Sequence, residues 1–147
     1  MRMTLEAAKQ LVAAVQARAR QMNRPFTCAV MDHGGFLLAL ERMDGARALT
    51  PQICMAKAYT AVVMERPSSM LHQWASGEPV YFNQVARMGH QPVVATQGGI
   101  PIKKNGEIIG GLGVGGGTAE DDQKICEEAL KELGYELDFV GFNRITK

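Results

Sequence analysis

The chain has 147 residues, 46% of them hydrophobic, and sixteen basic residues against fifteen acidic ones give a formal net charge of +1. That is material for one ordinary domain, residues 1–147, with one core, and the interspersed charges exclude the basic footprint of a nucleic-acid-binding surface. No apolar run approaches the roughly 18 residues of a membrane span, and three cysteines, far apart in apolar segments, read as buried thiols in a reducing cytoplasm rather than as a disulfide framework.

Thr4 is placed to cap a helix whose apolar residues Leu5, Ala8, Leu11, Val12 and Val15 recur at helical spacing. It should end before Pro25. Phe26 to Met31 and Phe36 to Arg42 read as strands joined by the turn residues Asp32, His33, Gly34 and Gly35. Thr50 followed by Pro51 has the cap-then-proline order of a helix start, and the helical pattern runs to Glu65. Ser68 to Ala75 predicts a second short helix, and Gly77 to Gln91 an irregular loop with a helical turn.

The last third is the most explicit. Asn105-Gly106, a pair suited to the positive φ angles of a type I′ turn, separates Gly99–Lys103 from Glu107–Val114 and predicts a hairpin. Thr118 with Asp121 three residues on has the pattern of a capping box, opening a helix that Gly134 terminates; residues 134–147 form a short tail. The order is helix, two strands, one or two helices, about three strands, helix. Because each hairpin forces antiparallel pairing, an α+β fold with an antiparallel sheet flanked by helices follows.

Gly111 to Gly116 satisfies G-x-G-x-x-G, but only 31 residues follow Gly116 and the entering strand belongs to a hairpin, so a dinucleotide-binding half has no room. Two readings of Gly115, Gly116 and Gly117 remain: a tight crossing that needs close backbone approach, or a cradle of amides at a helix N-terminus that receives a carboxylate. Lys57, in a mostly apolar helix, either forms a structural ion pair or presents its ammonium to an anionic ligand. Arg42 pairs locally with Asp44 or clamps a carboxylate. Asp121 and Asp122 complement the helix dipole. His33, His72 and His90 form no zinc pattern; a haem, however, needs only one axial imidazole, and His72 and His90 lie with Met70 and Met88 in the irregular middle segment.

Several blocks together carry a resemblance: Met31-Asp32-His33-Gly34-Gly35, Glu41-Arg42-Met43-Asp44-Gly45-Ala46, Ala56-Lys57-Ala58-Tyr59-Thr60-Ala61, Gly98-Gly99-Ile100-Pro101-Ile102, Gly106-Glu107-Ile108-Ile109-Gly110 and Gly113-Val114-Gly115-Gly116-Gly117 leading to Asp122. In order and spacing they resemble the GlcG/HbpS family, which includes the C-terminal domain of PduO-type proteins, from the first helix to about Leu133. The resemblance implies a profilin-like layered fold with a five-stranded antiparallel sheet, homo-oligomers from dimers upward, and haem binding among its members. The expectation is an accessory protein that binds haem or a related small anionic molecule. Arg42, Lys57 and the amides of Gly115, Gly116 and Gly117 would contact the ligand, with His72 or His90 on the iron. The alternative is a small isomerase, tautomerase or lyase of carboxylate metabolism using Lys57 as acid and base. The tail, whose Phe139, Val140, Phe142 and Ile145 offer adaptable apolar surface, is expected to dock, either on its own domain or, as the resemblance to an oligomeric family implies, against a second subunit.

Overall fold

The structure is a computed structural model and describes residues 1–140. Helix α1 (Leu5–Gln21) starts where Thr4 accepts a hydrogen bond from the Ala7 amide, as its sequence predicts. Strands β1 (Thr27–Asp32) and β2 (Leu37–Arg42) pair antiparallel around the expected turn, which Asp32 closes by accepting from the Gly34 and Phe36 amides. Helix α2 (Thr50–Met64) follows. Thr50 is not its cap: Leu49 holds that position, and the buried Thr50 hydroxyl lies 2.6 Å from that of Thr27 and donates to the Arg47 carbonyl.

The middle segment carries more helix than its composition announces. A 3-10 turn (Ser68–Leu71) runs into α3 (His72–Gly77), and α4 (Pro79–Val85) occupies part of the stretch expected to be irregular. Pro79 fits there because the first turn of a helix has no use for its missing N–H. Phe82 supplies the anchor, buried edge-on against Trp74.

Strands β3 (Gly99–Lys104) and β4 (Glu107–Gly115) form the second hairpin, with Asn105 and Gly106 at φ 51° and 77°. Helix α5 (Ala119–Glu132) opens with both halves of the Thr118–Asp121 capping box, and Gly134 ends it at positive φ. The sheet among the described residues has four strands, not five, in the order β2-β1-β4-β3, all antiparallel. About three strands were expected in the last third and two form. Ahead of β3, the Val94 amide spends its hydrogen bond on the Thr60 hydroxyl of α2 instead of on a neighbouring strand.

Helices α1 and α5 cover one face of the sheet and α2 the other. Cys28, Val30, Ile100, Ile102, Leu112 and Val114 point into the first core with Leu11, Val15, Ile125 and Leu130. Ala29 and Met31 point into the second with Cys54, Ala58 and Tyr59 of α2. From Gly111 on, the period of two in β4 sorts its residues: Leu112 and Val114 fill one core while Gly111, Gly113 and Gly115 face α2, and Ile109, at the register shift between β3 and β4, joins the first core. A Cβ on Gly113 would stand 2.1 Å from the Cys54 carbonyl oxygen, and one on Gly111 2.3 Å from that of Ala58. The glycines therefore let a helix lie backbone-to-backbone on the sheet. No described helix is long and apolar enough to cross a membrane.

Candidate functional site

Close seating of α2 carries Lys57 beneath the end of β4. Its side chain is 4% exposed, and Nζ donates to the Val114 carbonyl and to Asp122 Oδ2, each at 2.9 Å. Asp122 Oδ1 in turn accepts the Gly117 amide at 3.0 Å. Burial raises the Asp122 pKa above its ordinary carboxylate value, and this outweighs the opposing pull of the Lys57 ammonium and the Gly117 N–H. Asp122, which composition explains as a helix-dipole residue, is thus the counter-ion of Lys57 and ties α2 to α5.

This arrangement fills the glycine crossing from within. The Gly117 amide is taken by Asp122 and the Thr118 amide by Asp121 Oδ2, so the cradle expected to receive a ligand carboxylate holds two carboxylates of the chain itself. At Gly116, φ is 137° and a Cβ would lie 2.8 Å from the Pro25 carbonyl, which is the demand of a tight crossing. Gly115 and Lys57 are neighbours, 3.9 Å from a would-be Cβ to Nζ. Arg42 is in register with Thr27, and Thr27 with Gly115, which sets Arg42 two strand spacings, about 10 Å, from the crossing; its side chain is exposed and makes no ion pair with Asp44. Cys54, beside Gly115, has its thiol pKa pushed up to about 12 by burial and is no nucleophile.

The two candidate iron ligands sit in different places. His90 Nε2 lies 2.8 Å from the Gly35 carbonyl; because that oxygen only accepts, Nε2 carries the proton. The ring is stacked on Phe36, with centroids 4.5 Å apart, and meets Tyr59 edge-on. His90 braces the β1–β2 turn against the segment after α4.

His72 is exposed on the first turn of α3, and its ring Nε2 lies 3.5 Å from Ser76 Oγ. It stands between two clefts that share it and Ser69. One, of about 420 Å³, is completed by Ala95, Thr96, Gln97 and Ala119; the other, of about 570 Å³, by Met70, Gln73 and Ser76. Gln97 Oε1 is buried without a partner at the first cleft's wall. Ala119, the first residue of α5, places this groove next to the glycine crossing but outside it.

A family model described as haem degrading protein HbpS-like matches residues 3–131. The chain belongs to the HbpS-like family. Its fold overlays the crystal structure of Klebsiella pneumoniae protein ORFY with a TM-score of 0.80 at 33% identity over 88% of each chain. The crystal structure of a PduOC:heme complex matches with a TM-score of 0.83 at 28% identity, covering 92% of this chain and 98% of that one. A 15.0 kDa protein encoded between dhaT and dhaS in Citrobacter freundii is 38% identical over 128 residues, 86% of this chain and 89% of that protein.

Within this HbpS-like chain, sequence patterns single out Lys57 and the glycines, and the fold brings those together with Asp122. They do not single out the groove. Its far wall, Ala95 to Gln97, has no regular secondary structure and no titratable residue, so nothing in its spacing marks it. Ser68, Thr60 and Gln123, which hold that wall, read in sequence as ordinary helix and turn residues. The only available signal was Ser68 and Ser69 following Pro67, a turn signature.

Proposed function

We propose that this protein binds haem, or a closely related small anionic ligand, in the groove along α3, with His72 as the iron ligand. The observation that carries the reading is the state of the two imidazoles: His90 is tied to the Gly35 carbonyl and stacked on Phe36, whereas His72 is exposed between two joined clefts. A neutral imidazole with a free lone pair is what haem iron takes. The residues around it fit the group. Each cleft lies within the roughly 300–1,000 Å³ of small-molecule sites, Met70 offers an apolar thioether on one side, and Ser69, Thr96 and Gln97 offer polar groups on the other.

The structure of the PduOC:heme complex and the haem-degrading description of the family support the same class of ligand. Bound haem would supply redox-active iron; the chain would supply an axial nitrogen and a groove that orients the macrocycle. Lys57 is set against the enzymatic reading, because its ammonium is buried and two of its three protons are committed to Val114 and Asp122. Its role in this reading is to hold α2 and α5 together beside the groove, and Arg42, exposed on β2, lines neither cleft.

Titration of the purified protein with hemin should give a saturable Soret shift at stoichiometric ratio. His72→Ala should weaken binding at least about tenfold and change the ligation spectrum, while His90→Ala should keep the spectrum. Absence of any Soret shift with the unaltered protein would sink the haem reading, and a spectrum lost only in His90→Ala would move the ligand to the other histidine.

A further inference from the structure

The wall of the groove that faces His72 is a loop, yet its anchors are all fully buried side chains. The Val94 amide donates to the Thr60 hydroxyl of α2 at 2.9 Å, and the Gly98 amide to Gln123 Oε1 of α5 at 2.8 Å. Between them, Ser68 acts at two points: its hydroxyl donates to the Thr96 carbonyl at 2.5 Å and accepts the Gly99 amide at 3.0 Å. Thr60 and Ser68 are 0% exposed and Gln123 2%.

Of these anchors Ser68 alone stands on the element that leads into His72. It opens the 3-10 turn Ser68–Leu71, which continues directly as α3 from His72, and the intervening Ser69 lines both clefts. One hydroxyl therefore joins the imidazole-bearing side of the groove to the Ala95–Gln97 side. Gly99 makes the contact possible, since a Cβ there would lie 2.8 Å from Ser68 Oγ and 2.4 Å from the Lys57 carbonyl. Thr60 holds the same loop, but at Val94, one residue outside the cleft lining.

We infer that Ser68 is a positioning residue for the ligand: it sets the width of the groove between His72 and the Ala95–Gln97 wall without touching the ligand itself. This rests on the groove being the binding site. Loss of the hydroxyl removes a donor from the half-buried Thr96 carbonyl and an acceptor from the buried Gly99 amide, so the two walls separate in their motions.

The test compares Ser68→Ala with Thr27→Val in the full chain; the second breaks the buried Thr27–Thr50 hydroxyl pair and removes no bond to residues 93–99. Two readouts are used: hemin dissociation into a haem scavenger, and amide hydrogen exchange along residues 93–99 and α3. Ser68→Ala should speed hemin loss about tenfold while keeping the His72 ligation spectrum, and should raise exchange at Gly99 and across Ala95 to Gln97 at unchanged global protection. Thr27→Val should leave hemin loss within about twofold at a comparable drop in melting temperature. Equal hemin loss from Ser68→Ala and the unaltered protein overturns the inference, as does equal acceleration in both variants, which marks a general loss of stability. If the unaltered protein takes up no hemin, the haem reading fails separately, and exchange still decides: unchanged protection across Ala95 to Gln97 in Ser68→Ala removes the coupling of the walls.

Discussion

Lys57 and Asp122 show how a single buried charge decides what a residue can do. Taking an ammonium and a carboxylate out of water costs several kcal/mol per ion, and the pair is tolerable only with its remaining hydrogen bonds satisfied, as Val114 and Gly117 do here. Lys57→Met should therefore destabilise the fold by about 3–5 kcal/mol at neutral pH, because Asp122 is left buried without its counter-ion. The pH dependence has a definite sign. Burial already raises the Asp122 pKa in the folded chain above its ordinary 3.8, and removing Lys57 deletes a cause that lowers it. A folded carboxyl with a raised pKa contributes stability that is complete below the unfolded value and is lost as pH climbs through the folded one. The deficit of Lys57→Met against the unaltered protein should thus be small near pH 4 and grow toward neutrality. Urea unfolding at stepped pH measures it; a deficit independent of pH would show that Asp122 is not the group left unpaired.

At the scale of elements, the contact of α2 with β4 is the decisive one. Packed layers are normally held apart by the side chains between them, but Gly111 and Gly113 leave none, and Cys54 and Ala58 bring carbonyls and small side chains to meet them. Gly113→Ala should cost at least about 3 kcal/mol, beyond ordinary overpacking, because the added methyl meets backbone that cannot rotate away. Gly77→Ala is the matched control. Nothing lies within 4 Å of its Cβ position and its φ is not positive, so stability should hold or rise by about 0.4–1 kcal/mol. Denaturant unfolding of the two variants side by side checks this. A Gly113→Ala protein as stable as Gly77→Ala would mean that α2 can lift from the sheet without penalty.

For the whole molecule, the described part of the tail docks on its own chain. The Glu136 amide donates to the Lys103 carbonyl, Glu136 Oε1 accepts from Gly106, and Phe139 lies under the Lys103 ammonium at 5.3 Å. Phe142 and Ile145, also assigned to subunit contact from the sequence, lie outside the described residues. Other apolar surface is available for assembly: Phe36, Leu37, Val80, Tyr81 and Met88 are 47% to 74% exposed. We expect a homo-oligomer of closed symmetry, at least a dimer. Light scattering at micromolar concentration should give at least twice the chain mass, and a monomer mass would refute it. Deleting Phe139–Lys147 should weaken assembly; an unchanged oligomer after the deletion would leave its burial to the exposed residues of β2, α4 and the following loop.

The amino-acid sequence by itself determined the elements whose signals are local. The Thr4 and Thr118 caps and the Asn105-Gly106 turn each depend on residues within a few positions of one another, and each stands where its pattern puts it. The family was legible for the same reason, as an order of short motifs. Tertiary structure decided what those motifs are for. G-x-G-x-G in β4 has one spelling whether it cradles a phosphate or seats a helix, and only the approach of Cys54 and Ala58 from α2 settles it. Lys57 and Asp122 are 65 positions apart, and no spacing rule joins them. His72 and His90 look equivalent along the chain until a carbonyl from Gly35 takes the proton-bearing nitrogen of one and leaves the other beside open clefts. Hydrogen-bond satisfaction and backbone proximity are properties of contacts between distant segments, which is why the candidate site emerged from the fold and its elements from the sequence.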